Sequence, residues 1–298
     1  MASVSKLKHV ELSDGWSFVT RGKGAGRASR SKRTSQAPTA RKEHGPVDSS
    51  IVLKVAEDAK QIARPFEETQ STGALKPSLL RATSSHHVTH AFCLGLGPMT
   101  SGPSANQKRS IAQLGAFLWL VDGARSSKGP DDLQRLAVDP GFTPPDGAVL
   151  EQLRVKMALD SKDFDKQTLN HSLLYAPYLP WPVLILDYLN GGSIKPSLLV
   201  CQDLQSIKEN LEMWTKTPNG QRVIEVDGRA CSRDDLTKAV EGCKVILRDY
   251  DACRFPIYEP LPDAFRDLVV YTKKVDDSEA EEERFISQLE NLAICPSD

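Results

Sequence analysis

Several features that would settle a chemistry at once are missing from this sequence. Cysteine is scarce: six in 298 residues, with no CxxC pair and no regular framework, which excludes a disulfide scaffold. No second Cys/His group completes a metal site beside His86, His87 and His90, so no metal is expected. No apolar run reaches the roughly 20 residues that a spanning helix needs. The most apolar stretch, Ile111 to Val121, is far shorter, and Lys6, Lys8, Glu11 and Asp14 interrupt any signal-peptide core. GxSxG, the P-loop GKS/GKT and HExxH are all absent, which removes the familiar hydrolase, NTPase and metalloprotease templates. Net charge is −1, so no global field selects a partner. What remains is a chain with 40% hydrophobic and 26% charged residues, enough for one large domain or two small ones. The expectation is a soluble protein of the cytosol or nucleus, with reduced thiols and no membrane contact.

Charge is unevenly spread. Residues 21–44 carry eight Lys or Arg and one Glu, a local +7 that leaves −8 elsewhere. With almost nothing apolar between Arg21 and Pro46, residues 1–48 are expected to be a disordered basic tail ahead of a folded domain over 49–298. The cluster Arg27, Arg30, Lys32 and Arg33 fits a nuclear-import signal or a weak nucleic-acid contact, and equally a solubilising arm.

The folded part alternates. Ile51, Val55, Ala59, Ile62 and Phe66 recur at helical spacing. Val88–Gly95 is a short apolar run of buried-strand type, followed by an amphipathic helix opening at Ser104 with Gln107 in capping-box position. Strands are expected at Leu133–Val138, Val155–Leu159, Ser172–Tyr175 and Ser197–Cys201, with helices at Asp146–Leu153, Pro182–Leu189 and Leu204–Trp214. Asp160–Gln167 reads as a surface loop or short helix. Later, Val223–Val226 and Lys244–Leu247 read as strands around a Ser232–Val240 helix, Val269–Tyr271 as an edge strand, and Asp276–Leu292 as a last helix. Such alternation predicts an α/β fold: three-layer, Rossmann-like, with a mainly parallel sheet and helices on both faces.

In open parallel sheets, ligands bind beyond the carboxyl ends of the strands. Gly95 and Gly97 can turn the chain sharply and let backbone approach a ligand, and the helix start at Ser104, with Lys108 and Arg109, would favour an anion. The full GxGxxG fingerprint fails, because Thr100 stands at the third glycine. Asp139 ends the next strand, the place of a ribose-binding carboxylate, yet Asp139-Pro140 is also a common turn opener. A nucleotide-like ligand and a plain tight turn both fit. Trp119, Trp181 and Trp214 fall on separate helices, where core packing explains them best.

In order along the chain come His90-Ala91-Phe92-Cys93-Leu94-Gly95-Leu96-Gly97, Gln113-Leu114, Asp139-Pro140-Gly141-Phe142 and Leu174-Tyr175-Ala176-Pro177. This series resembles the sensitivity-to-red-light-reduced (SRR-like) domain family, and the chain looks like a divergent, fungal-type member. Asp14-Gly15-Trp16-Ser17-Phe18-Val19 before the basic segment is similar to the amino terminus of many members. The resemblance implies a regulatory role: the family is associated with clock and light signalling in plants, microtubule-linked phenotypes in yeasts and haem biosynthesis regulation in animals. It carries no established activity. Two positions depart from the family pattern: Pro177-Tyr178-Leu179 where members have Pro-His-Cys, and Cys201-Gln202-Asp203-Leu204 where they have Gly-Asn-Ser-Phe.

The candidate ligand-binding residues are therefore Gly95, Gly97, Ser104, Gln113, Asp139 and Tyr175. Two functions compete. One is a regulatory protein that binds a small nucleotide-like ligand or a protein partner without turnover. The alternative is a methyltransferase-like enzyme using S-adenosylmethionine, which needs a glycine turn after the first strand and a carboxylate ending the second.

Overall fold

The computed structural model describes residues 7–11, 17–21, 48–68, 75–77, 79, 88–124, 133–160, 162, 164–216, 223–226 and 228–274. Within the stretch expected to be a tail, β1 (Leu7–Glu11) and β2 (Ser17–Arg21) pair as an antiparallel hairpin. The rest of residues 1–47 and the expected helix at Asp276–Leu292 lie outside the described residues.

A central sheet of seven strands organises the domain. Its parallel part is built from β3 (His90–Leu94), β4 (Gln134–Val138), β5 (Lys156–Ala158), β6 (Ser172–Ala176) and β7 (Leu198–Gln202). Beyond β7 lie β11 (Leu268–Lys273) and then β10 (Tyr250–Arg254), giving the order β5-β4-β3-β6-β7-β11-β10. β11 runs against both neighbours, so β10 points the same way as the parallel strands. Strand order reverses between β3 and β6, the switch point of a doubly wound sheet.

The central strands β3, β6 and β7 are nearly continuous apolar runs because both faces are covered. In β3, Ala91 and Cys93 face one core and Phe92 and Leu94 the other. Against the first face lie α1 (Ser49–Glu68), α2 (Ser104–Gly123) and α3 (Pro144–Gln152). Against the second lie a π-helical segment, Pro182–Tyr188, with α4 (Leu204–Lys216) and α5 (Arg233–Asp249). This is the expected three-layer, mainly parallel α/β fold. α1 and α2 meet at Gly115, where an added Cβ would stand 2.7 Å from the Ala59 carbonyl oxygen.

Differences from the sequence reading have local causes. Lys244–Leu247 is not a strand: α5 runs on to Asp249, with Val240, Cys243 and Ile246 buried along one stripe. A three-residue apolar run fits either state, and tertiary burial decided it. Val269–Tyr271 belongs to an interior strand, since β10, whose Asp251 and Ala252 are exposed, takes the edge. β8 (Val223–Val226) pairs with β9 (Arg229–Ser232) in a separate hairpin between α4 and α5. The expected capping box at Ser104 does not form. Pro103 precedes the first turn of α2, and the Gln107 amide instead donates to the Gly102 carbonyl at 2.9 Å. Residues 166–171 form a 3₁₀ turn. Among the described residues no helix is long and apolar enough to cross a membrane, and no cluster of three His, Cys, Asp or Glu could hold a metal.

Candidate functional site

Two places at the carboxyl end of the sheet compete for a ligand: the glycine turn after β3 and a cleft beyond β6 and β7.

The glycine turn lies at the carboxyl end of β3. Gly95 and Gly97 have positive φ angles of 68° and 76°, a conformation that suits glycine. Asp139 sits against it, with Oδ2 accepting from the Gly97 amide at 2.8 Å and Oδ1 from the Gly141 amide at 2.7 Å. It thus opens its own turn and braces the neighbouring one. A second carboxylate, Asp146 in the first turn of α3, is fully buried. Its Oδ1 accepts from the Met99 and Thr100 amides, both at 2.9 Å, and its Oδ2 from the Thr143 amide at 2.8 Å. The Thr100 and Thr143 hydroxyls add bonds of 2.8 and 2.7 Å. Three amides of residues 97–100 that could have cradled an anion are therefore filled by the protein's own carboxylates. Over Gly95 lies Leu179, whose Cδ1 would be 2.9 Å from an added Cβ.

The other expected site residues do not join this turn. Ser104 is exposed at the start of α2. Gln113 is buried in α2 and donates to the Ala264 carbonyl at 3.4 Å, fixing the loop before β11. Tyr175 is wholly buried among Phe117 and Phe255, with ring centroids at 6.1 and 6.4 Å. Burial drives its hydroxyl, and the Cys93 thiol of the adjoining strand, far above their ordinary ionisation range.

The cleft is a different matter. It holds about 790 Å³, within the range of small-molecule sites. Its wall is made by the residues after β6 (Tyr178, Trp181), after β7 (Gln202, Asp203), and by Trp214 of α4. The residues that depart from the family pattern, Tyr178 and Gln202-Asp203, thus face this cleft. Tyr178 ties its loop to the one before β11 by donating to the Asp263 and Arg266 carbonyls, each at 3.1 Å. Burial pushes its hydroxyl up to about 12, against the opposing pull of Arg109, whose guanidinium carbon stands 5.9 Å from the ring centroid. Asp203 is committed to the first turn of α4, accepting from the Gln205 amide at 3.0 Å and the Ser206 hydroxyl at 2.9 Å. Buried Tyr271 fixes the start of α4 by accepting from the Leu204 amide at 2.8 Å.

Trp181 and Trp214 pack with the second core, as the sequence reading had them, and both also border the cleft. Trp119 lies in the first core, stacked on Phe66 at 5.4 Å. Trp181 is 8% exposed, borders the cleft, and its indole N–H is buried with no acceptor among the described residues. It stands at the head of the π-helical segment, where Leu189 donates back to Leu184 at 2.9 Å, an irregularity frequent at functional sites. Arg254, Arg266 and Asp267 also line the cleft. Sequence reasoning missed them because it missed β10, which carries Arg254, and the reversal into β11. Asp267 has a left-handed φ of 61°.

Fold and cleft together define a doubly wound α/β domain with its open site beyond the carboxyl ends of β6 and β7, on the far side of the switch point from the glycine turn. Residues 62–272 match the SRR1 domain. That span covers most of the chain, and the protein belongs to the SRR1 domain family. A comparison with curated proteins finds no match.

Proposed function

We propose that this protein is a regulatory binding protein whose ligand occupies the cleft at the ends of β6 and β7. One observation carries the reading. The amides of the glycine turn are already bonded to Asp139 and Asp146, whereas the cleft is open and bordered by aromatic and charged side chains, Tyr178, Trp181, Trp214, Arg109 and Arg254 among them.

The test is a titration followed by the indole N–H resonances of Trp181 and Trp214. The panel comprises adenosine phosphates, S-adenosylmethionine, S-adenosylhomocysteine, free amino acids and short acidic and basic peptides. At least one compound moves both resonances and is recovered unchanged. Shifts confined to Gly95–Thr100, or turnover of the bound compound, contradict the reading.

A second reading has support from the sheet. A glycine turn follows the first strand of the doubly wound sheet and a carboxylate follows the second, as the methyltransferase-like alternative requires. Against it, both oxygens of Asp139 are occupied, so ribose hydroxyls would have to displace the Gly97 or Gly141 amide. Methyl transfer abolished by Asp139→Asn in a protein of unchanged thermal stability would favour the enzyme. A nucleic-acid contact through residues 21–44 rests on their charge alone.

A further inference from the structure

Resting on the cleft reading, we infer that the cleft takes a small organic anion bearing a planar ring, of the nucleoside monophosphate class, with the anionic group held by Arg109 and Arg254. Both arginines line the cleft, and neither has a carboxylate at ion-pair distance among the described residues. The same cleft holds four carboxylates. Asp263 pairs with Arg266, Asp203 serves the first turn of α4 and Glu209 accepts from Gln205, which leaves Asp267 beside Tyr178 as the carboxylate facing two arginines that are not ion-paired among the described residues. Two such guanidiniums suit an anion, which their planar forks bind through paired hydrogen bonds.

The remaining groups select more than charge. Tyr178 is pinned through its hydroxyl to two carbonyls, so the ring beneath Arg109 is fixed before any ligand arrives. Trp181 and Trp214 both border the cleft, which gives its wall the aromatic surface that a planar ring packs against. Gln202 presents both a donor and an acceptor, as recognition of a base edge requires. Across the sheet's switch point, the amides of the glycine turn are filled by Asp139 and Asp146 and do not compete for the phosphate.

Calorimetry on the full chain with adenosine monophosphate, adenosine and inorganic phosphate tests this, alongside the indole resonance of Trp181. Adenosine monophosphate should bind at least about tenfold more tightly than adenosine or phosphate, a difference of about 1.4 kcal/mol. Arg109→Gln and Arg254→Gln should each weaken the monophosphate by about tenfold and leave adenosine unchanged. Both arginines are exposed, so the fold is unaffected, and Lys108→Gln serves as the neutral control. Adenosine binding as tightly as its monophosphate, or unchanged affinity in both arginine variants, overturns the anion assignment. Phosphate binding as tightly as the monophosphate overturns the ring. If none of the three moves Trp181 while another panel compound does, this inference fails and the cleft reading stands. If nothing moves Trp181, both fail.

Discussion

Oδ2 of Asp139 accepts a 2.8 Å hydrogen bond from the amide of Gly97, a residue 42 positions earlier in the chain. This bond joins the turn after β3 to the turn after β4, and Asp146 repeats the arrangement one loop further on. The carboxylates are the internal anions of a turn that otherwise would face a ligand. Removing either leaves amide donors unpaired.

Asp139→Ala should therefore destabilise the domain by about 1–3 kcal/mol, because the half-buried Gly97 amide loses its acceptor while water can reach that of exposed Gly141. Asp146→Ala should cost more, since five hydrogen bonds converge on it. Urea denaturation followed by circular dichroism checks both. A loss below about 0.5 kcal/mol, the size of an ordinary surface change, would mean the bonds do not brace the turn.

Gly115 sits where α2 crosses α1. Alanine is the better helix former by about 1 kcal/mol, yet its Cβ would stand 2.7 Å from the Ala59 carbonyl and 2.8 Å from Ile62. Backbone cannot yield as a side chain can, so Gly115→Ala should lose about 1–3 kcal/mol net. A stabilised variant would show that the two helices are not in this contact.

How much of this was legible in the sequence differs by region. Strands β3, β4, β6 and β7 are short apolar runs bounded by turn residues, so period and length identified them, and alternation with helices gave the parallel sheet. β10 was not legible: Asp251 and Ala252 are exposed at the sheet edge, and nothing in Tyr-Asp-Ala-Cys-Arg alternates strongly. The pairing of Asp139 with the glycine turn followed from strand order. That Asp139 is consumed there did not, because composition cannot tell a carboxylate awaiting a ligand from one already bonded. The role of Asp146 had a signal, Thr143 three residues before it in capping-box spacing. Trp181 and Trp214 were legible as core residues, but not as residues bordering a cleft, because both roles carry the same helical spacing.

The carboxyl of Asp249 is held well below the usual carboxylate range, first by the Arg248 side chain at 2.6 Å. Partial burial opposes this, and Lys195 at 2.7 Å reinforces it. A carboxyl depressed in the folded state stabilises the fold above its unfolded value of about 3.9, and that contribution is lost as pH falls toward the folded value. Asp249→Asn should be less stable than wild type at neutral pH, with the gap closing below about pH 3.9. A gap that is constant with pH would contradict the ion pairs.

Cys93, Cys201 and Cys243 are buried, and burial raises all three thiols, Cys243 to about 12. Thiolate is the reactive form, so a thiol reagent at about pH 8 should leave these three unmodified until unfolding, while half-exposed Cys253 reacts before them. Peptide mapping after brief labelling reads the order directly. Early modification of Cys93 or Cys201 would mean that the two strand faces open far more readily than a packed core allows.

The division between a self-filled glycine turn and an open cleft is tested most directly by a crystal structure of the full chain soaked with adenosine monophosphate in phosphate buffer. The account predicts density between Arg109, Arg254 and Trp181, with the Asp139–Gly97 and Asp146–Met99 bonds intact. Phosphate or nucleotide density on the amides of Gly97, Met99 and Thr100, with those carboxylates displaced, would contradict it.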